Sequence, residues 1–162
     1  MTSSDAHALA RQLCQTLLHR RQTMAVAESC TGGLVAKICT DLAGSSAWFG
    51  YGVVSYSNQA KQRFLGVDRR TLEQDGAVSR ACAEQMVTGL LEKGTADWGV
   101  ALTGIAGPGG GGADKPVGSV WMAWKQADTD AQSQLFCFDG DRAQVREQSA
   151  VAALQGLLQR MG

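Results

Sequence analysis

Met24-Ala-Val-Ala-Glu-Ser-Cys-Thr-Gly-Gly-Leu-Val-Ala-Lys37 changes its periodicity halfway along. Thr23 to Ala27 is short, largely apolar and β-compatible, as expected of a strand buried on both faces. Leu34, Val35 and Ile38 then recur at helical spacing, with Leu42 one turn further on. Between them, Glu28-Ser29-Cys30-Thr31-Gly32-Gly33 puts hydroxyls and glycines where a strand turns into a helix. The first amides of a helix are unpaired and sit at the positive end of its dipole, so such a turn suits a phosphate or a developing oxyanion. Gly32 and Gly33 lack the Cβ atoms that hold a ligand off the backbone. Ser29 is therefore a candidate nucleophile and the turn a candidate anion cradle. The competing reading is an ordinary N-cap, since Ser and Thr often precede helices to satisfy the first amides. Ala27 stands where the hydrolase elbow Gly-x-Ser-x-Gly has its first glycine, so the stretch is not that motif.

The flanking sequence alternates helices and strands. Asp5 to Arg21 places Leu9, Leu13, Leu17 and Leu18 on one helical face, with Asp5 as cap. Gly44 is the expected stop for the helix after the turn. Trp48 to Ser57 is aromatic and β-branched and reads as a second strand. It runs into a short helix capped by Ser57 or Asn58 and stopped at Gly66, which puts Tyr56 at a strand end and Lys61 about one turn into the helix. Asp68 to Gln74 and Ser79 to Lys93 are further helical segments, and Asp97 to Thr103 reads as a buried central strand. Val117 to Lys125 and Gln132 to Phe138 alternate as an antiparallel pair. Asp141 to Met161 is a long helix with Val145, Ala152, Leu154, Leu157 and Leu158 on its buried side. The pattern predicts an α/β fold, a three-layer α/β/α sandwich around a mixed sheet, as a single domain over residues 1–162.

Gly104-Ile-Ala-Gly-Pro-Gly-Gly-Gly-Gly-Ala-Asp-Lys-Pro116 is the one low-complexity stretch. It reads equally as a flexible linker or as a binding loop after a buried strand. Lys115 is not a phosphate-loop lysine, because Gly-Lys-Ser/Thr is missing. Arg142, in the first turn of the last helix, lies where the dipole disfavours a cation. Either an anionic partner or a salt bridge to Asp139 or Glu147 accounts for it.

Composition narrows the function classes. Lys+Arg and Asp+Glu balance at 15 each, so no basic field faces a nucleic acid or an anionic membrane. The start of the chain is polar and no apolar run approaches a membrane span. The five cysteines are scattered without a Cys-x-x-Cys pair, and both histidines, His7 and His19, fall in the first helix. Neither a zinc site nor a disulfide framework is expected, and no metal or cofactor. A reduced, cytoplasmic protein is the expectation. Exposed aromatics such as Trp48 and Phe49 make a homo-oligomer reasonable.

If Ser29 attacks an acyl carbon it needs a base, and no histidine is placed to serve. A lysine serves if burial lowers its pKa from about 10.4 toward neutrality. Lys61 is the best placed, with the Tyr56 hydroxyl to relay a proton or orient the amine. The amides of Cys30 to Gly33 can hold the oxyanion, each such donor being worth about 3–4 kcal/mol. Cys30 is a rival nucleophile, although a cysteine beside a buried strand is more often packing.

Ala27-Glu-Ser-Cys-Thr-Gly-Gly33, Tyr56-Ser-Asn58 with Lys61, Leu65-Gly66-Val67, Thr103-Gly-Ile-Ala-Gly-Pro108 and Lys115-Pro-Val-Gly118 occur in that order. In these motifs the chain resembles the CinA C-terminal domain family from roughly Leu9 to Leu158. The resemblance implies a nicotinamide-nucleotide amidase that converts nicotinamide mononucleotide to nicotinate mononucleotide and ammonia in bacterial pyridine-nucleotide salvage. It implies Ser29 as nucleophile, with Lys61 and Tyr56 as its partners in proton transfer. Thr31, Gly32, Gly33, Thr103, Gly104 and Arg142 match positions around the substrate, Arg142 toward the phosphate. The metal-dependent chemistry of the fused nucleotide-processing domain in longer relatives is not expected. A non-catalytic nucleotide-binding or regulatory module is the alternative, and a metal-dependent hydrolase is a third.

Overall fold

The computed structural model describes residues 3–162; Met1 and Thr2, part of the polar start, lie outside them. In chain order the elements are α1 (Ser3–Arg20), β1 (Met24–Glu28), α2 (Leu34–Thr40), β2 (Phe49–Val54), α3 (Asn58–Leu65), α4 (Arg69–Gln74), α5 (Arg80–Glu92), β3 (Trp98–Gly104), β4 (Ser119–Gln126), β5 (Gln132–Cys137) and α6 (Arg142–Met161). The strands form one sheet in the order β2-β1-β3-β4-β5. β1 pairs parallel with β2 and β3 through Val26↔Gly52 and Val26↔Val100. β4 runs antiparallel to β3 and to β5. The sheet is mixed and lies between two helical layers, as the alternation predicts.

The two faces of the sheet differ in side-chain size. Met24, Val26, Val100, Leu102, Met122 and Trp124 point to the layer of α1, α2 and α6 and form a core with Leu13, Leu17, Leu154 and Leu157. Ala25, Ala27, Ala101 and Ala123 point the other way, toward Leu65, Met86 and Leu90 of α3 and α5. Small residues let that second layer settle close to the sheet. Within that layer α5 also packs tightly on α3 at Gly89, where an added Cβ would lie 1.6 Å from the Leu65 carbonyl oxygen. Alanine favours a helix by about 1 kcal/mol over glycine, but overpacking against backbone costs about 1–3 kcal/mol or more. Gly89→Ala should therefore lower the melting temperature by several degrees in thermal denaturation. It should also reduce activity, because the displaced helix α3 carries Lys61. A variant at least as stable as the wild type would refute the close packing.

Local chemistry sets most boundaries. The hydroxyl of Ser57 accepts from the Ala60 amide, and Gly66 ends α3 in the left-handed region. Asp68, Ser79 and Asp141 cap α4, α5 and α6 in the same way. Three expectations are corrected. Asp5 lies inside the first turn of α1 and is not its cap, because the helix already begins at Ser3. Gly44 does not end α2, whose C-cap is Asp41; it precedes a 3-10 turn at Ser45–Ala47. Trp48 is not an exposed aromatic. It is fully buried in the larger core, edge-on to the half-buried Phe49, because that turn folds it under the sheet. The surface argument for a homo-oligomer therefore loses its main residue.

Candidate active site

β1, β2 and β3 run parallel, and their carboxyl ends bring three chain segments to one edge of the sheet. Ser29 extends β1 by one residue. Its amide donates to Leu102 O (3.1 Å) while Ser55 N donates to Glu28 O (2.8 Å), so the nucleophile candidate is clamped between both neighbours. Ser29 is 7% exposed. A cavity of about 270 Å³ opens beside it, lined among others by Cys30, Tyr56, Asn58, Lys61, Ile105 and Arg142.

Lys61 projects from the first turn of α3 and is 1% exposed. Its Nζ donates to Ser29 Oγ (2.9 Å), Ser55 O (2.9 Å) and Tyr56 O (3.3 Å). Among the described residues no carboxylate pairs with it. Burial without a counter-charge disfavours the ammonium, and the amine is held below its ordinary pKa; the nearby Cys82 and Cys30 thiols oppose this more weakly. The geometry suits both protonation states. An ammonium finds three acceptors. A neutral amine keeps its two N–H groups on the carbonyls and turns its lone pair to the Ser29 hydroxyl. Cys30 is the weaker nucleophile, since burial pushes its thiol up to about 11.

Tyr56 enters differently from the expectation. Its carbonyl touches the Lys61 amine, whereas its exposed hydroxyl accepts from Arg142 Nη2 (2.9 Å) at the cavity mouth. Arg142 Nη1 donates to Gly107 O (2.8 Å). Arg142 thus ties the tyrosine to the glycine-rich loop, in place of a bridge to Asp139 or Glu147. That loop lines the cavity through Ile105, Ala106, Gly107, Gly109 and Gly110, which is the position of a binding loop.

Part of the donor set at this turn is already occupied. The N-cap of α2 is Gly33, with φ 102°, and no side chain caps it locally. Glu28, 1% exposed, caps the helix from the strand: its carboxylate accepts from Val35 N (2.9 Å), Ala36 N (3.0 Å) and Thr31 Oγ1 (2.7 Å). The Gly32 amide is spent on Ser29 O (3.0 Å). Thr31, Gly32 and Gly33 do not line the cavity; Gly32 and Gly33 supply positive φ angles instead. The Cys30 amide reaches no carbonyl among the described residues and has only its own sulfur against it. It follows Ser29 directly, which makes it the donor best placed for an oxyanion.

Thr103 is buried, and its hydroxyl donates to Ala77 O (2.8 Å), fixing the segment before α5 as a cavity wall. Gly104 permits a close crossing of β3 and β4, since a Cβ there would lie 2.7 Å from Ser119 O. Sequence reasoning missed Glu28, Asn58 and Arg146 in any site role. Asn58 had a usable signal, standing three residues before Lys61 on the same helical turn. His19 is exposed, and His7 hydrogen-bonds Asp41 at the end of α2, within the layer of α1, α2 and α6 and away from the cavity. Among the described residues no three His, Cys, Asp or Glu side chains gather as a metal site, and no helix is long and apolar enough to cross a membrane.

A mixed sheet between two helical layers, with a serine touching a buried lysine at its carboxyl edge, defines an α/β/α sandwich protein with a cavity at the strand ends. More narrowly, the chain belongs to the CinA C-terminal domain family, whose profile matches residues 6–161. The nicotinamide-nucleotide amidohydrolase PncC of Escherichia coli (strain K12) is 49% identical over 159 residues, covering 98% of this chain and 96% of that protein. A CinA-like protein of Chlorobaculum tepidum is 50% identical over 149 residues, 90% of this chain but 35% of its own length. The crystal structure of the competence/damage inducible protein CihA from Agrobacterium tumefaciens superposes with a TM-score of 0.93 at 42% identity, covering 96% of this chain and 94% of that one.

Proposed function

We propose that this chain hydrolyses the carboxamide of nicotinamide mononucleotide, releasing ammonia and nicotinate mononucleotide, as a cytoplasmic enzyme of pyridine-nucleotide salvage. The observation that carries the reading is the 2.9 Å contact between the Lys61 amine and Ser29 Oγ at the cavity wall. The near full-length similarity to an amidohydrolase named for this substrate class supports it. Five free cysteines fit a reducing compartment.

Neutral Lys61 takes the Ser29 proton as Oγ attacks the carboxamide carbon. The negative charge that develops on the carbonyl oxygen falls to the Cys30 amide. The Lys61 ammonium returns its proton to the leaving nitrogen, and the C–N bond breaks to release ammonia. Water, deprotonated by the same amine, then attacks the ester carbon; the Lys61 ammonium returns that proton to the departing Ser29 Oγ, and the acid product leaves as its carboxylate, its proton passing to solvent. The cavity volume lies just under the usual 300–1,000 Å³ of small-molecule pockets. It takes the pyridine carboxamide, while ribose and phosphate extend toward the mouth and Arg142.

An ammonia-release assay with nicotinamide mononucleotide and a small amide panel tests the proposal, with turnover of the mononucleotide unaffected by chelators as the expected result. Saturable binding without turnover would instead favour a non-catalytic nucleotide-binding module. Chelator-sensitive turnover would favour a metal-dependent hydrolase. Arg142→Ala should raise KM for nicotinamide mononucleotide by roughly 10–100-fold, the worth of a charge-assisted hydrogen bond. It should leave kcat/KM for nicotinamide riboside, which lacks the phosphate, within about threefold. Equal losses on both substrates would remove Arg142 from the phosphate.

A further inference from the structure

We propose that Arg146 is a positioning residue for this reaction, acting through two successive peptide groups on the Cys30 N–H beside the nucleophile. The inference rests on the amidase reading above. Arg146 lies one turn beyond Arg142 on α6 and reaches the nucleophile turn without lining the cavity. Its Nη2 donates to Thr31 O (2.9 Å). That carbonyl belongs to the same peptide group as the Gly32 N–H, which donates to Ser29 O (3.0 Å). The Ser29 carbonyl in turn shares a peptide group with the Cys30 N–H. The guanidinium charge therefore stands at the head of a chain of aligned dipoles whose free end is the oxyanion donor. Each link in such a chain strengthens the next by about 10–30%.

Three further observations fit this role. Among the described residues Arg146 Nε, which is buried, has no hydrogen-bond partner, and none of their carboxylates forms an ion pair with the guanidinium. A half-buried cation held with an unmet donor costs stability. Gly32 also leaves room for it: a Cβ at that position would lie 3.2 Å from Nη2. Glu28, the nearby anion, is committed to Thr31, Val35 and Ala36 and does not neutralise Arg146 in an ion pair among the described residues.

Arg146→Gln keeps a donor of similar reach and removes the charge. Deleting an oxyanion donor outright costs about 10²–10³ in kcat; weakening one should cost less. The expected result is a kcat lower by about tenfold with KM for nicotinamide mononucleotide within about threefold. The amide proton resonances of Gly32 and Cys30 should both move upfield in ¹H–¹⁵N spectra, a shift that a general loosening of α6 would not confine to those two links. Arg146→Lys, which keeps the charge, should recover most of the rate and return both amide signals toward wild type, and Arg146→Met carries the two loss-of-charge readings if the glutamine variant does not fold. Wild-type kcat in Arg146→Gln overturns the inference, as does a rate loss without movement of the two amide signals. A wild-type enzyme that fails to turn over the mononucleotide refutes the amidase reading instead, and the amide signals alone then decide on the relay.

Discussion

Replacing Ser29 with alanine should reduce turnover of nicotinamide mononucleotide by on the order of 10³-fold or more, while the melting temperature moves by only a few degrees. The two effects separate because the hydroxyl and the backbone of Ser29 have different duties. The backbone is held by Leu102 O and closes the turn through the Gly32 amide, and neither bond changes on substitution. The hydroxyl contributes its contact to Lys61, which keeps the Ser55 and Tyr56 carbonyls as acceptors. Loss of one hydrogen bond costs about 1 kcal/mol. Cys30 cannot take over, since its thiol is buried and pushed up to about 11. Added hydroxylamine gives the same test a second readout. An acyl ester on Ser29 should partition to the hydroxamate in the wild type, and the alanine variant should form none. Retention of activity within about tenfold would dismiss Ser29 and turn attention to Cys30→Ala.

The parts of this site that the sequence discloses are those fixed within a few residues. The strand–turn–helix of Met24 to Lys37, the Ser57 cap that sets where Lys61 emerges, and the Gly66 stop follow from periodicity and capping chemistry, which act over three or four positions. Contacts across long sequence separations are hidden from such reasoning. Glu28 reaches forward to cap α2 through Val35 and Ala36, so the first amides of the helix itself are already satisfied. Arg142 meets Gly107 and Tyr56 from a distant part of the chain. Trp48 is aromatic in a turn region, a pattern shared by exposed and buried residues alike, and only packing against α1 and α2 decides between them. The pairing of Ser29 with Lys61 spans 32 residues. It is legible because Ser29 directly follows β1 and Lys61 lies in the first turn of the helix after the adjacent β2, at the sheet end where α/β proteins collect functional groups.

Lys61→Met carries the other large expectation, because it keeps the stem of the side chain and deletes only the amine. Activity at neutral pH should fall by about 10²–10⁴, the usual contribution of a positioned general base. In the wild type the rate should rise with pH as the amine loses its proton, with a midpoint below the ordinary lysine value, because burial disfavours the ammonium. The variant should lose that ascending limb altogether. Stability supplies an independent check with a definite sign. A lysine depressed in the folded state means that the unfolded chain binds more protons between the folded and unfolded pKa values, so stability rises with pH across that window. Below the folded value the cost of burying a cation is fully present; above the unfolded value it is gone. The methionine variant has no such cost to relieve. Its melting temperature relative to wild type should therefore be highest at low pH and should decline as pH climbs through the window. Curves that run parallel over that range, together with an intact ascending limb in the variant, would show that another group titrates and that Lys61 is not the base.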